Sequence, residues 1–162
     1  VDAPHDGDAD GVVGGEDRCP DAPELVNGVD DGDGCPDVGP FGIRLDERGE
    51  RIEHDGKIHF GLDGDAIPEE HLPLLAALAE VIQASPGLGV VRVEVHTDPR
   101  GSAEYNRLLS QRRAEAIRAA LIERGVDGGR LRAIGFGADR PIVCNECDSW
   151  ALSRRVEFWR DR

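Results

Sequence analysis

Asp98 and Arg113 are the residues whose types and spacing point to chemistry, fifteen positions apart within VRVEVHTDPRGSAEYNRLLSQRRAEAIRAALIER, Val91 to Arg124. The chemistry is charge recognition, since no nucleophile stands in a recognisable order with His96 nearby. A projection at about 100° per residue from Tyr105 puts Leu109, Ala116, Ile117 and Ala120 on one apolar arc, and Arg113 and Asn106 fall inside it. A guanidinium buried there without a carboxylate would cost several kcal/mol. Asp98, at the end of the preceding strand, is the sequence-near candidate. The residues alone leave two readings open, an internal salt bridge or a charged site at which something else binds.

Two elements must position the pair. Val91, Val93 and Val95 alternate with Arg92, Glu94 and His96, the period of a strand. The polar turn Thr97-Asp98-Pro99-Arg100-Gly101 follows, so Asp98 sits at the strand's carboxyl end. A helix begins near Ser102 and stops at Gly125, which places Arg113 about three turns along it.

HTDPRGSAEYNRLLSQRRAEAIRAAL resembles the core motif of the OmpA-like (OmpA/MotB/Pal) peptidoglycan-binding domain, whose pattern is HTD, then G, then N-x-x-L-S-x-x-R-A. The resemblance covers roughly Gly42 to Arg160, through IHF near Phe60, GFGADRP near Pro141 and SRRVEF near Phe158. It implies a non-catalytic anchor whose ligand is diaminopimelate of the peptidoglycan stem peptide. Asp98 would take the ammonium and Arg113 the α-carboxylate. Asn106 would hydrogen-bond to either, Leu109 would pack beneath, and the ligand would lie over the turn that begins at Thr97. Gly61 stands where the family commonly has Asp, and Asp63 would supply the acid instead. Val95 and Ser153 replace the usual Gly and Asn, changes that touch the rim rather than Asp98 or Arg113. The resemblance places the chain at the periplasmic face of the outer membrane. The chain opens without Met or a signal-like segment, so it is expected to be a mature or excised piece, with any β-barrel or lipid anchor upstream.

The net charge of −14 is unevenly spread. Residues through Pro40 hold twelve acids against Arg18 alone, and the remainder holds 21 acids against 18 bases. Such a contrast marks a segment 1–40 and a domain 41–162. With no basic stripe outside the Arg-rich helix, nucleic acid is not an expected partner. No apolar run approaches ~18 residues, so no membrane-spanning helix is expected.

The acidic segment is poor in large apolar residues, yet its acids are regularly spaced. Asp6, Asp8, Asp10 and Asp17, with Gly11 between, match positions 1, 3, 5, 12 and 6 of a calcium loop. The run from Cys19 to Asp37 resembles thrombospondin type 3 repeats, in which calcium and a disulfide replace a hydrophobic core. That resemblance implies calcium as cofactor, held by Asp6, Asp8, Asp10, Asp17, Asn27, Asp31, Asp33 and Asp37, with the Val12 carbonyl. Gly14 and Val29 depart from its pattern. The four cysteines form two sequence-local pairs, which suggests disulfides in an oxidising compartment, although four cysteines allow three connectivities. Cys19–Cys35 is the bridge expected, closing a loop worth roughly 3 kcal/mol. Cys144 and Cys147 form a C-x-x-C after Pro141, read as a local structural disulfide in preference to a redox or zinc site.

Short alternations between Phe41 and Leu62 read as a hairpin followed by a strand at Ile58–Phe60. Pro68 opens a helix with Leu72, Leu75, Ala79 and Ile82 on its buried stripe, and Pro86-Gly87 ends it. Strands follow at Leu131–Phe136 and Arg154–Trp159, the latter with Val156 and Phe158 inward and Glu157 outward. The fold class is α+β, an OmpA-like sandwich: a mixed sheet with two main helices packed on one face, preceded by an irregular calcium-binding segment. The competing reading is a calcium-stabilised structural or adhesive envelope module with no direct cell-wall ligand. A cell-wall hydrolase has no supporting motif.

Overall fold

The computed structural model describes residues 7–8, 12–16, 18–19, 21, 24–26, 31–35, 38–143 and 148–161. Asp6, Asp10, Asp17, Asn27, Asp37, Cys144 and Cys147 lie outside the described residues, as does the expected pairing of the last two.

The chain forms β1 (Arg44–Leu45), β2 (Arg51–Glu53), α1 (Leu72–Ala84), β3 (Val90–His96), α2 (Ala103–Glu123), β4 (Leu131–Gly137), α3 (Ser149–Ser153) and β5 (Arg155–Asp161). The sheet order is β1-β2-β5-β3-β4, with β3 and β4 parallel and every other pair antiparallel. This is the expected α+β mixed sheet. Helix α2 packs on β4 and β3, and α1 packs on α2. Val91, Val93 and Val95 are buried against Leu75, Leu78, Ile82, Ile117 and Leu121, each apolar side chain contributing about 1.5–3 kcal/mol.

Parallel β4 would leave a free edge of unpaired backbone groups. Helix α2 covers it. Gln111 accepts from the Gly135 amide at 2.8 Å and donates to the Ala133 carbonyl at 3.1 Å. Ser110 Oγ accepts from the Gly137 amide at 2.9 Å, and Arg118 Nε donates to the Leu131 carbonyl at 3.0 Å. So close an approach requires glycine at 135, where a Cβ would stand 2.1 Å from the Gln111 amide nitrogen.

Three expectations are corrected. Ile58–Phe60 forms no strand: Ile58 is buried and Phe60 packs on the core, but the segment pairs with no ladder. Its alternation reflects one-sided burial alone. The helix expected from Pro68 begins instead at Leu72, after a 3₁₀ turn at Glu69–His71. On α2 the buried set is Asn106, Leu109, Ser110, Ala114, Ile117, Ala120 and Leu121, while Tyr105 is 41% exposed. The apolar arc is therefore rotated away from Tyr105, and Arg113 stays inside it, half-buried.

The sheet's other face carries alternate residues of the same strands, knitted by charge. Arg92 donates to Glu94 and to Asp161, each at 3.0 Å. Glu157 points to this face as expected, and it is bonded by Arg155 and by the Trp159 indole at 2.7 Å.

The acidic segment is anchored to the domain. Leu25 is 2% exposed within the main core, and the Val26 amide donates to Ser85 Oγ at 2.9 Å. Cys19 and Cys35 are disulfide-bonded, with Cα atoms 5.0 Å apart. Asp33 accepts from Arg18 at 2.8 Å and from the Cys35 amide at 3.0 Å. Among the described residues no helix is long and apolar enough to cross a membrane.

Candidate functional site

Strand β3 delivers His96, Thr97 and Asp98 to the floor of a cleft of about 760 Å³. The Thr97 amide still donates to the Gly137 carbonyl at 2.8 Å, which keeps the chain tied to β4 up to the turn. Asp98 Oδ1 accepts the Arg100 amide at 3.1 Å and folds the turn back on itself. Gly101 supplies the left-handed step (φ 87°) into the helix, and Ser102 caps it by accepting from the Tyr105 amide at 3.1 Å. Asn106, buried one turn into α2, donates to the Arg100 carbonyl at 2.8 Å. Its amide nitrogen thus fixes the turn that presents Asp98.

Asp98 is 6% exposed. Its Oδ2 accepts from Arg100 and from Arg154, each at 2.7 Å. The Arg100 guanidinium, helped by Arg154, holds the carboxyl far below the usual carboxylate range, against the opposing push of burial. Asp98 is an anion at any physiological pH.

Arg113 does not pair with Asp98. Its Nε donates to the Gly64 carbonyl at 2.7 Å and its terminal nitrogen to the Gly61 carbonyl at 3.0 Å. The internal salt bridge left open by the sequence is absent. A turn through Asp63, whose φ of 54° is left-handed, directs those two carbonyls at the guanidinium. Phe60 lies beneath it, 5.0 Å from ring centre to guanidinium carbon. Burial pushes the Arg113 pKa down, with Tyr105, Asp63 and Asp65 opposing, and an arginine so placed remains a cation. Asp63 itself accepts from the Tyr105 hydroxyl at 2.6 Å.

Thr97, Asp98, Asn106, Leu109, Arg113 and Asp63 all line this one cleft, so the six expected ligand residues are brought together. Leu109 is buried on its wall, and Thr97 Oγ1 is buried with no hydrogen-bond partner. The sequence reading missed Arg100 and Arg154, which also line it and which hold Asp98. A signal for Arg154 existed in the SRRVEF segment, but not its target. His96 is buried, stacked on Phe136 at 5.2 Å, and takes part in no catalytic arrangement of the described residues. One buried anion and four guanidinium groups, those of Arg100, Arg113, Arg154 and Arg155, around a cleft of this size suit a small ligand bearing both an ammonium and a carboxylate.

The family model described as the OmpA family matches residues 59–154, and the chain belongs to that family. Among similar proteins is outer membrane porin F of Pseudomonas aeruginosa, 38% identical over 154 residues, which are 94% of this chain and 40% of that protein. Another is the peptidoglycan-associated lipoprotein of Haemophilus influenzae, 41% identical over 100 residues, 61% of this chain and 65% of that protein. The chain thus spans less than two thirds of the length of these relatives. Among solved structures, the cell wall anchor of the T6SS from Pseudomonas aeruginosa superposes with a TM-score of 0.60 at 27% identity, over 73% of this chain and 86% of that one. The peptidoglycan-associated lipoprotein from Burkholderia pseudomallei gives a TM-score of 0.55 at 26% identity, over 64% of this chain and 87% of that one.

Proposed function

We propose that the cleft binds peptidoglycan without catalysis and anchors an envelope protein to the cell wall by clasping diaminopimelate of the stem peptide. The observation that carries this reading is the buried Asp98 carboxylate sharing one cleft with Arg100, Arg113 and Arg154. The ligand ammonium replaces Arg100 at Asp98, because Arg100, 62% exposed, is the more exposed of the two arginines that hold the carboxylate. Arg113 and the released guanidinium take the carboxylate. Thr97 Oγ1 offers a further hydrogen bond, Asn106 holds the turn, Leu109 forms the apolar wall, and Asp63 stands at the rim. A lysine-type stem peptide lacks the second carboxylate and binds more weakly. The peptidoglycan-associated lipoproteins, the cell wall anchor and the outer membrane porin named above support the peptidoglycan and envelope parts of this reading. The corresponding location here is the periplasmic face of the outer membrane, with a barrel or lipid anchor upstream. Pull-down on diaminopimelate-type peptidoglycan should retain the parent and lose both Asp98→Ala and Arg113→Ala. Retention of both variants overturns the proposal.

One observation favours a second reading, a structural or adhesive module. Asp98 is already satisfied by two arginines and Arg113 by two carbonyls, so the charges need no ligand to be stable. In that case the two substitutions change stability and leave wall binding untouched.

The acidic segment is, in the same proposal, a calcium-binding arm like thrombospondin type 3 repeats. Its ligands are Asp6, Asp8, Asp10, Asp17, Asn27, Asp31, Asp33 and Asp37 with the Val12 carbonyl. Oxygen-only ligands suit calcium, and the Cys19–Cys35 bridge closes the segment where core is scarce. Titration with CaCl₂ should release heat and raise the melting temperature, and neither effect appearing refutes the calcium arm.

A further inference from the structure

On the rim of the cleft, apart from the Asp98 network, three side chains converge: His59, Glu70 and His71. His71 ends the 3₁₀ turn before α1 and is 8% exposed, so its ring is fixed by packing. His59 lies on the unpaired segment opposite, its ring perpendicular to that of His71 with centres 4.4 Å apart. His71 Nε2 stands 3.1 Å from His59 Nδ1 and 3.8 Å from Glu70 Oε1. The same Oε1 is 2.8 Å from His59 Nε2.

The donor count of this cluster does not close. His71 Nε2 faces both the His59 backbone N–H, at 3.2 Å, and the His59 ring. If His71 Nε2 is a lone pair, it accepts the backbone N–H. A neutral His59 then has one proton for two contacts, and either its Nδ1 lone pair faces that of His71 or its Nε2 lone pair faces the Glu70 carboxylate. If His71 Nε2 carries a proton, that proton opposes the backbone N–H. Every arrangement of two neutral rings therefore leaves two donors or two acceptors face to face. A cation between the His59 and His71 rings, whether a proton or a metal ion, removes the opposition of their lone pairs.

We propose that His59, Glu70 and His71 form a binding site for a divalent transition metal ion of the zinc type. Two imidazole nitrogens and one carboxylate oxygen are the donor set that such an ion takes, at about 2.0–2.2 Å from each. Tetrahedral ligands at that radius lie about 3.3 Å apart; with His59 bound through Nδ1, the two edges from His71 Nε2 are 3.1 and 3.8 Å, and one donor atom from each of the three residues lies within 4.8 Å of the others. The His59 and Glu70 side chains are 57% and 62% exposed, so both are free to close on the ion while His71 stays in place. No arginine or lysine forms an ion pair with any of the three among the described residues, in contrast to the second His/Glu cluster, where Glu94 and Glu157 are engaged by arginines. Burial lowers the His71 pKa and keeps that ring neutral near pH 7, the state a metal requires. Three protein ligands leave a fourth position for water, at the edge of the cleft that His59 also lines.

The test is a ZnCl₂ titration of the whole chain at pH 7.5 in excess CaCl₂, which occupies oxygen-only sites. Imidazole nitrogen resonances are followed by NMR, with affinity read by competition against a chromogenic chelator. One equivalent of zinc should shift His59 and His71 and leave His96 unmoved. His59→Ala and Glu70→Gln, both at exposed positions that leave the fold intact, should each weaken binding beyond the ~10–100-fold typical of losing an outer-shell partner. Unmoved His59 and His71 signals at two equivalents overturn the site, as does unchanged affinity in both variants. A response of the two rings to pH but not to zinc shows that a proton, and not a metal, completes the cluster, and equally overturns it.

Discussion

Replacing Asp98 by Asn keeps the side chain's size and the oxygen that accepts the Arg100 amide, and removes the charge. In the parent that charge accepts from the guanidinium groups of Arg100 and Arg154, each at 2.7 Å. Hydrogen bonds to charged groups contribute ~1.5–3 kcal/mol when dry, but exposed pairs are worth only ~0.2–1 kcal/mol. Here the carboxylate is buried while the arginines are 62% and 43% exposed, so solvent screens each pair from one side. The expected loss for Asp98→Asn is about 1–2 kcal/mol at pH 7, or roughly 2–8 °C in melting temperature for a chain of this size. The sign with pH follows from the depressed folded-state pKa. Asp98 stabilises fully above its unfolded value of ~3.9, and that contribution drains away as pH falls below it. Urea unfolding of both proteins from pH 7 to pH 2.5 should show a constant gap down to about pH 5 and a shrinking one below pH 4. A gap that stays constant to pH 2.5 refutes the electrostatic account of this turn.

Gly135→Ala should destabilise by about 3 kcal/mol or more, since the added Cβ meets rigid helix backbone at 2.1 Å, and denaturant titration measures it. Leu25→Ala should cost about 2–4 kcal/mol despite lying in the acidic segment, because its side chain is part of the domain core; a change near zero contradicts the docking. Cys35→Ser should lower stability by roughly 3 kcal/mol, with mass spectrometry of the parent under non-reducing conditions finding no free thiol at Cys19 or Cys35. Ser102→Ala should cost about 1 kcal/mol of thermal stability by uncapping α2, and it should also loosen the turn that carries Asp98.

The strand–turn–helix unit around Asp98 was legible because each part has a local cause. Valine alternation makes β3, Gly101 makes the turn and Ser102 caps the helix. The mixed sheet with two helices likewise followed from periodicity and order. What was not legible depends on distant chain segments. Arg154 reaches Asp98 from 56 positions away, and nothing in its neighbourhood names its target. Arg113 was assigned a carboxylate because a buried guanidinium needs acceptors, yet the backbone carbonyls of Gly61 and Gly64 serve equally well. Those carbonyls are presented by a turn through a left-handed residue, Asp63, just after a segment whose alternation read as a strand. Composition also set the acidic segment apart, although its Leu25 is buried in the domain core and its Val26 amide bonds to Ser85.

The central claim is that Asp98 and Arg113 meet across a ligand and not each other. NMR titration of the labelled chain with meso-diaminopimelate, set beside an identical titration with lysine, tests it most directly. The account predicts saturable shifts at Thr97, Asp98, Asn106 and the Arg113 Nε, with a markedly weaker response to lysine. Silence at those positions, or an equal response to both amino acids, contradicts it.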